Sequence, residues 1–276
     1  MASRNGRRFI ASDTVRIVSI GVYKVNDSTV NIKAEIQSAI KGTRLYTPDD
    51  AIYKMKEATA TENKDETRFD VVEGTTLEVA AKLSGDICIL NFASAKQPGG
   101  GFLNGAQAQE ESIARSSSLY ACLTSRQCDP FYKTNKRFPG YYTDHAIYSP
   151  TVPIFRTDDG RLLEKPYQCA VITCPAVNVN SLSKADKQST IDEAMQRRIN
   201  KILTIASVHK HEILVLGAYG CGVFGNQAID VAGYFAKALT GHKFKRVVFA
   251  ILDKNMPKAF SAVFKTPVIT VKELRF

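Results

Sequence analysis

An α/β fold on a buried central sheet is what three features of this chain predict. Residues 87–90, ICIL, form a continuous apolar run, the signature of a strand covered on both faces. From Phe69 onward, strand-like and helix-like segments alternate. Two strand ends run straight into glycine-rich turns, one at Gly99, Gly100 and Gly101, the other over residues 217–226, GAYGCGVFGN. Open α/β sheets place their ligands at the carboxyl ends of strands, so both turns mark a candidate site.

Taken in order, Phe9, Ile10, Ile17, Val18 and Ile20 fall at helical spacing within residues 4–20. Residues 22–25 and 30–32, parted by Asn26, Asp27 and Ser28, read as a hairpin, and 34–40 as a short helix. Thr47, Pro48, Asp49 and Asp50 make a helix-start cluster with 51–60 behind it, followed by a charged connector at 61–68. These early segments have apolar faces that need a cover. Residues 1–66 are therefore expected as an accessory extension packed on a core of residues 67–276, not as an independent domain.

The core begins with a strand at 69–72, ending beside Glu73, then a helix at 75–83 and the central strand at 87–92. Ile113, Leu119 and Tyr120 give helical spacing after Gln109. Residues 125–166 read as an irregular excursion, with extended edge segments at 148–150 and 152–155 where Pro150 and Pro153 sit. Its aromatics at 131–142 are mixed with Lys133, Lys136 and Arg137, and either anchor the excursion or offer stacking and phosphate contacts. His145 has no neighbouring metal ligand or nucleophile in sequence and reads as structural or solvent-facing. A strand at 167–173 stops at Pro175, with Asn178 beyond it. The long helical pattern over 186–208 buries Ile191, Met195, Ile199, Ile202, Leu203 and Ile205. His209 and His211 follow it, where a cation would cap a helix carboxyl end. A strand at 213–216, a helix at 228–239 and strands at 246–251 and 268–271 complete the expectation.

Composition narrows the partners. With 276 residues and 44% hydrophobic content the chain can bury a substantial core. No apolar run approaches a membrane span, and the opening MASRNGRRFIAS lacks an apolar signal region, so a soluble intracellular protein, cytoplasmic or nuclear, with no membrane partner is expected. The six cysteines are scattered without a CxxC pair, which points to neither a zinc site nor a disulfide framework. A net charge of +10 suits a polyanionic partner, although the charge is spread too widely to choose among polyanions.

The chemistry concentrates at the glycine turns. Three adjacent glycines let backbone amides approach a ligand closely, and successive amides facing one concavity form an anion nest suited to a diphosphate. Gln109, Glu110 and Glu111 follow. An acidic pair at a helix start is ordinarily a dipole partner. Beside an anion-binding loop its charge is misplaced for binding and makes better sense as chemistry. The second turn, with Gly220, Cys221, Gly222, Val223 and Phe224, leads into another helix, so the two loops read as a clamp around one diphosphate.

The spacing of the three glycines and Gln109-Glu110-Glu111, within NFASAK, PGGGFLNGAQAQEE and SLY, resembles the signature of the poly(ADP-ribose) glycohydrolases, a macrodomain-related family, in its short microbial form. RRFIASDTVRIV, VVEGTTLEVA, TCPAVN and GAYGCGVFGN resemble that family too, in the same order. The resemblance implies a macrodomain-like three-layer α/β sandwich with a central mixed sheet. It also implies hydrolysis of ribose–ribose O-glycosidic bonds, from chain ends, to release ADP-ribose, with no metal or cofactor. The implied partners are poly(ADP-ribose) and ADP-ribosylated proteins, with no need for direct nucleic-acid binding.

Residue by residue, the resemblance makes Glu111 the acid that protonates the leaving oxygen and then the base that activates water. To do so Glu111 must hold a proton near neutral pH, which a charged Glu110 and a bound diphosphate would both favour. Glu110 would position ribose hydroxyls. Gly99, Gly100, Gly101, Gln109 and the residues 220–224 would bind substrate, Phe224 orienting the terminal ribose. Ser94 stands where many macrodomains carry a ribose-binding Asn, and Glu73 where the strand end faces adenine. Gln97 departs from the Asn often found before Pro98. A reader of ADP-ribose without turnover, a mono-ADP-ribosyl hydrolase and a basic nucleic-acid module are the competing readings.

Overall fold

A computed structural model describes residues 2–50, 52, 66–183 and 185–275. The chain opens with helix α1 (Arg4–Ile20), started by Ser3, whose hydroxyl accepts from the Gly6 amide, and stopped by Gly21 in the left-handed conformation. A hairpin of β1 (Val22–Val25) and β2 (Ser28–Asn31) leads to α2 (Lys33–Gly42) and a short strand, β3 (Arg44–Tyr46). Apart from Ile52, the helix expected over 51–60 and the first part of the connector after it lie outside the described residues.

The core then runs through β4 (Arg68–Glu73), α3 (Thr76–Ala80) with a capping box between Thr75 and Glu78, and β5 (Ile87–Phe92). Next come α4 (Gln109–Ser116), α5 (Leu119–Leu123) and α6 (Asp129–Asn135). Two long strands, β6 (Ala146–Arg156) and β7 (Leu162–Cys174), precede α7 (Gln188–Val208) and β8 (Ile213–Leu216). The chain finishes with α8 (Ala228–Leu239), β9 (Arg246–Ile251), α9 (Met256–Phe264) and β10 (Val268–Thr270).

The described residues form an eight-stranded mixed sheet in the order β10-β4-β9-β8-β5-β7-β6-β3. From β10 to β7 the strands are parallel, and β6 and β3 are antiparallel additions. Side chains on β5 alternate between two cores, as a strand buried on both faces must. Cys88 and Leu90 join the core beneath α7, α8 and α9, while Ile87 and Ile89 join the core beneath α2 to α6. The result is three layers, helix, sheet, helix. A smaller cluster of Ile17, Tyr23, Ile32, Ile36 and Phe155 ties α1, the hairpin and α2 to β6.

Several expectations need correction. Residues 146–156 are one bulged strand rather than separate edge segments, with irregularities between Ser149 and Val152 and between Ile154 and Arg156. The prolines are compatible because β3 covers only Ala146, Ile147 and Tyr148, leaving the proline-bearing half at the sheet edge. Residues 125–145 are not wholly irregular either: α6 buries Phe131 and Tyr132, so those aromatics are core, whereas Phe138 is exposed. The helix after Gln109 breaks at Ser117, where an isolated bridge to Ile154 takes over. His209 is no cationic cap. Burial, with lesser help from His211 and Arg44, pushes it down to about 4, and its ring bonds the Tyr46 hydroxyl at 2.8 Å. β3 and α9 were not anticipated.

Candidate active site

The parallel arrangement sets the carboxyl ends of β5 and β8 side by side, so the two glycine turns leave the sheet as neighbours. Their roots touch: the rings of Phe92 and Tyr219 lie 5.9 Å apart. Gln109 fixes the start of α4 to β5. Its Oε1 accepts from the Phe92 amide at 2.9 Å, and its Nε2 donates to the Leu90 carbonyl at 2.6 Å and to Thr76 at 3.1 Å. Both ends of this side chain are thus engaged as a brace, which turns Glu110 and Glu111 toward the first glycine loop.

The two carboxylates occupy different environments. Glu110 is buried, 4% exposed, with Oε1 accepting from Asn91 Nδ2 at 3.2 Å and Oε2 from the Ser94 amide at 2.6 Å. Burial raises its pKa from the ordinary 4.5 to about 8, outweighing the Ser94 and Asn91 hydrogen bonds, with the neighbouring Glu111 adding to the rise. Near neutral pH Glu110 is therefore mostly uncharged, and the expected like charge beside Glu111 is not there. Glu111 is half-buried at the surface of the loop, and its Oε1 accepts from the Gly101 amide at 2.9 Å. The Ser94 hydroxyl is turned back to the Gln97 amide at 3.2 Å.

The glycines are required by this arrangement. Gly100 has φ +59°, and a Cβ there would collide with Oε1 of Glu111 and lie 3.1 Å from Oε2 of Glu110. The Gly100 amide donates to the Gln97 carbonyl at 3.0 Å. The first loop therefore wraps the carboxylates closely. The second loop is open: among the described residues no acceptor takes the amides of Gly222, Val223 or Phe224. Val223 is 81% exposed, and a Cβ at Gly222 would meet only open space. That is the form of an anion nest. Cys221 is buried beneath it, and the Phe224 ring lies 6.1 Å from that of Tyr142.

Glu73 stands apart, at the exposed end of β4, three strand positions from β5, or roughly 14 Å. It borders a cavity of about 650 Å³ with Lys82, Tyr167 and Thr270. A second cavity of about 370 Å³ lies nearer the carboxylates, lined by Gly74, Thr76, Gln109, Ser112, Asp158 and Leu252. Among the described residues no group of three His, Cys, Asp or Glu is placed to hold a metal ion.

Known proteins share this architecture. The family model for the catalytic domain of microbial-type PARG matches residues 11–157. The poly(ADP-ribose) glycohydrolase (PARG) of Thermomonospora curvata superposes with a TM-score of 0.87 at 41% identity, covering 94% of this chain and 100% of that one. The chain belongs to the microbial-type PARG family. The T. curvata protein bound to the inhibitor ADP-HPD gives a TM-score of 0.84 at 41% identity, over 94% of this chain and 99% of that one. The Deinococcus radiodurans PARG in complex with ADP-ribose gives 0.78 at 39% identity, over 86% and 99%. No curated protein matches the chain.

Several residues that shape this candidate site lie outside the motifs of the sequence. Arg198 is 1% exposed within α7. It pairs with Asp144 at 2.9 Å and donates to the carbonyls of Pro175, at 3.0 Å, and Tyr141, so it pins the segment carrying Tyr142 to the exit of β7. Asn180 supports the nest, its Nδ2 donating to the Val223 carbonyl at 2.9 Å while its side chain fills the space a Cβ at Gly225 would need. Asn226 ties Gly220 to Val177 through its Nδ2, at 2.9 and 2.8 Å. A signal existed for Arg198, which falls at an apolar-stripe position between Met195 and Ile202.

Proposed function

We propose that this protein is a poly(ADP-ribose) glycohydrolase, hydrolysing ribose–ribose bonds of the polymer, on ADP-ribosylated proteins, to release ADP-ribose. The observation that carries the reading is Glu111: a carboxyl held on the Gly101 amide, at the mouth of a glycine loop, beside a neighbouring loop with unclaimed amides. Membership of the PARG family supports it, as does the ADP-ribose bound by the D. radiodurans relative.

In this mechanism the amides of Gly222, Val223 and Phe224 receive the diphosphate, and Glu73 accepts from the adenine amino group. Glu111 gives its proton to the bridging oxygen as the bond from that oxygen to the anomeric carbon breaks. Charge developing on the sugar is stabilised by the nearby diphosphate. Water then adds to the anomeric carbon and returns a proton to Glu111, so the carboxyl ends as it began. Successive residues on a helix project about 100° apart, so Glu110 does not face Glu111 across the bond. Glu110 instead serves as a positioning residue: its burial and its bond to the Ser94 amide hold the loop against which Glu111 rests. A terminal ribose would meet Glu110 only through the lone pairs these bonds leave over.

The test is incubation with auto-modified poly(ADP-ribose) polymerase, with the products resolved by size. Free ADP-ribose with a residual protein-proximal unit is expected. Intact polymer would make the protein a reader, and removal of the last protein-linked unit would make it a mono-ADP-ribosyl hydrolase.

A further inference from the structure

The loop that begins at the three glycines ends against α1. The Ala106 amide closes it by donating to the Gly101 carbonyl at 3.1 Å. At its far side Arg4 Nε donates to the Asn104 carbonyl at 3.2 Å and Arg7 Nε to the Gly105 carbonyl at 2.8 Å. Gly105 has φ +73°, and a Cβ there would run into the Arg4 carbonyl and lie 3.0 Å from Cγ of Arg8. Buried Arg115 donates to the Ala106 carbonyl at 2.6 Å and lies within electrostatic reach of both Glu111 and Arg7. One short loop therefore touches Glu111 at one end, through the Gly101 amide, and a group of guanidinium groups at the other.

None of Arg4, Arg7, Arg8 and Arg115 forms an ion pair among the described residues, whereas Arg16, Arg156, Arg198 and Arg246 all do. Arg4 and Arg8, spaced i and i+4, share one exposed face of α1. Phe9 lies one position further round and is 76% exposed. Exposed guanidinium groups without an ion-pair partner, such as Arg4 and Arg8, beside an exposed aromatic are the elements that bind phosphate and stack a base.

We propose that the N-terminal half of α1 is a subsite for the ADP-ribosyl unit on the departing side of the scissile bond, with Arg4 and Arg8 meeting its diphosphate and Phe9 its adenine. The inference rests on the glycohydrolase reading. Cleavage yields two pieces: the ADP-ribose held by the second glycine loop, and the polymer that receives the proton from Glu111. The second piece is a polyanion and must leave the site beside Glu111, where this loop leads to α1. A nucleic acid would satisfy the charge but has no reason to begin at Glu111.

Binding is measured on the Glu111→Gln protein, so that the polymer survives, with long poly(ADP-ribose) and with ADP-ribose alone. Adding Arg4→Ala and Arg8→Ala is expected to weaken polymer binding about tenfold and to lower the salt slope by about one for each guanidinium removed, with ADP-ribose affinity held. Phe9→Ala weakens polymer binding severalfold, and Arg4→Lys with Arg8→Lys retains most of it. Polymer affinity unchanged by the alanines, or falling in step with ADP-ribose affinity, overturns the subsite. So does an equal loss of binding to single-stranded RNA, which would mark a general nucleic-acid surface. If the Glu111→Gln protein binds no ADP-ribose and the unmodified protein releases none from polymer, the glycohydrolase reading itself has failed and the subsite falls with it.

Discussion

The Gly101 amide donates to Oε1 of Glu111 across 2.9 Å, so the first glycine turn fixes the direction of that carboxyl. Of the standard substitutions only proline would remove this backbone donor, and its position is set by the turn through Gly99 and Gly100, both at positive φ. The carboxyl is thereby oriented before any substrate arrives, the preorganisation that the proposed role of Glu111 as proton donor calls for.

Glu111→Gln keeps the size of this side chain and removes its proton chemistry. Release of ADP-ribose from polymer should fall by at least about 10²–10⁴-fold, the range for loss of a general acid. ADP-ribose affinity, measured by calorimetry, should stay within a few-fold. Full turnover by the variant would end the assignment of Glu111.

Gly100→Ala places a methyl group where Oε1 of Glu111 lies and strains a residue at φ +59°. The left-handed conformation alone costs about 1–2 kcal/mol for an alanine. Displacing the carboxyl by an ångström or so should cost turnover about 10²-fold, because reacting groups lose alignment. Denaturant melts and initial rates measured together check both parts. An alanine variant with wild-type rate would show that Glu111 can move without consequence.

How far the sequence carried this picture depended on whether a residue's task was local. The central strand was legible because residues 87–90 are apolar without alternation, a pattern that a half-exposed strand does not tolerate. Glu110 and Glu111 were legible as a pair from their spacing to the glycines. Their division of labour came from the family resemblance and not from spacing, and the difference in burial behind it was not legible, because Glu110 meets Asn91 on β5 and the turn at Ser94 only in the folded chain. α9 was missed although Pro257 in its first turn and the spacing of Phe260 and Phe264 announced it. β3 is three residues long and owes its existence to pairing with β6, so no local pattern could reveal it.

Asn180 holds the second loop from below through its bond to the Val223 carbonyl. Asn180→Ala removes that bond and leaves the three unclaimed amides less fixed. A loss of about 0.5–1.5 kcal/mol corresponds to a rise in KM of about two- to tenfold, with kcat little altered because Glu111 is untouched. Steady-state kinetics on polymer separate the two constants. A fall confined to kcat would remove Asn180 from the binding loop's support.

Arg198→Ala leaves Asp144 partly buried and facing only Arg197, 3.0 Å away and more exposed. Although burial works against it, Arg198 and Arg197 together hold the Asp144 carboxyl below its usual range. Removing the buried partner of such a pair costs about 3–5 kcal/mol, and the melting temperature should drop on the order of 10 °C. The segment around Tyr141 and Tyr142 should loosen first, visible as faster amide exchange there than in β5. Unchanged stability would mean that the ion pair adds nothing to the fold.

Glu110 makes stability depend on pH in a definite direction. Its folded pKa, about 8, lies above the ordinary 4.5, so between those values the folded chain binds more protons than the unfolded one. Stability must therefore fall as pH rises from about 4.5 to about 8 and level off above, at up to about 1.4 kcal/mol per pH unit from this group. In Glu110→Gln an amide stands in for the neutral acid, and its oxygen can still take the Ser94 amide. The variant lacks this titration. Urea melts at pH 5, 6.5, 8 and 9 should show the stability of Glu110→Gln rising relative to the unmodified protein across the window and then running parallel to it. A difference that stays flat from pH 5 to 9 would mean that Glu110 is ionised in the folded chain throughout, and that Ser94 and Asn91 outweigh its burial.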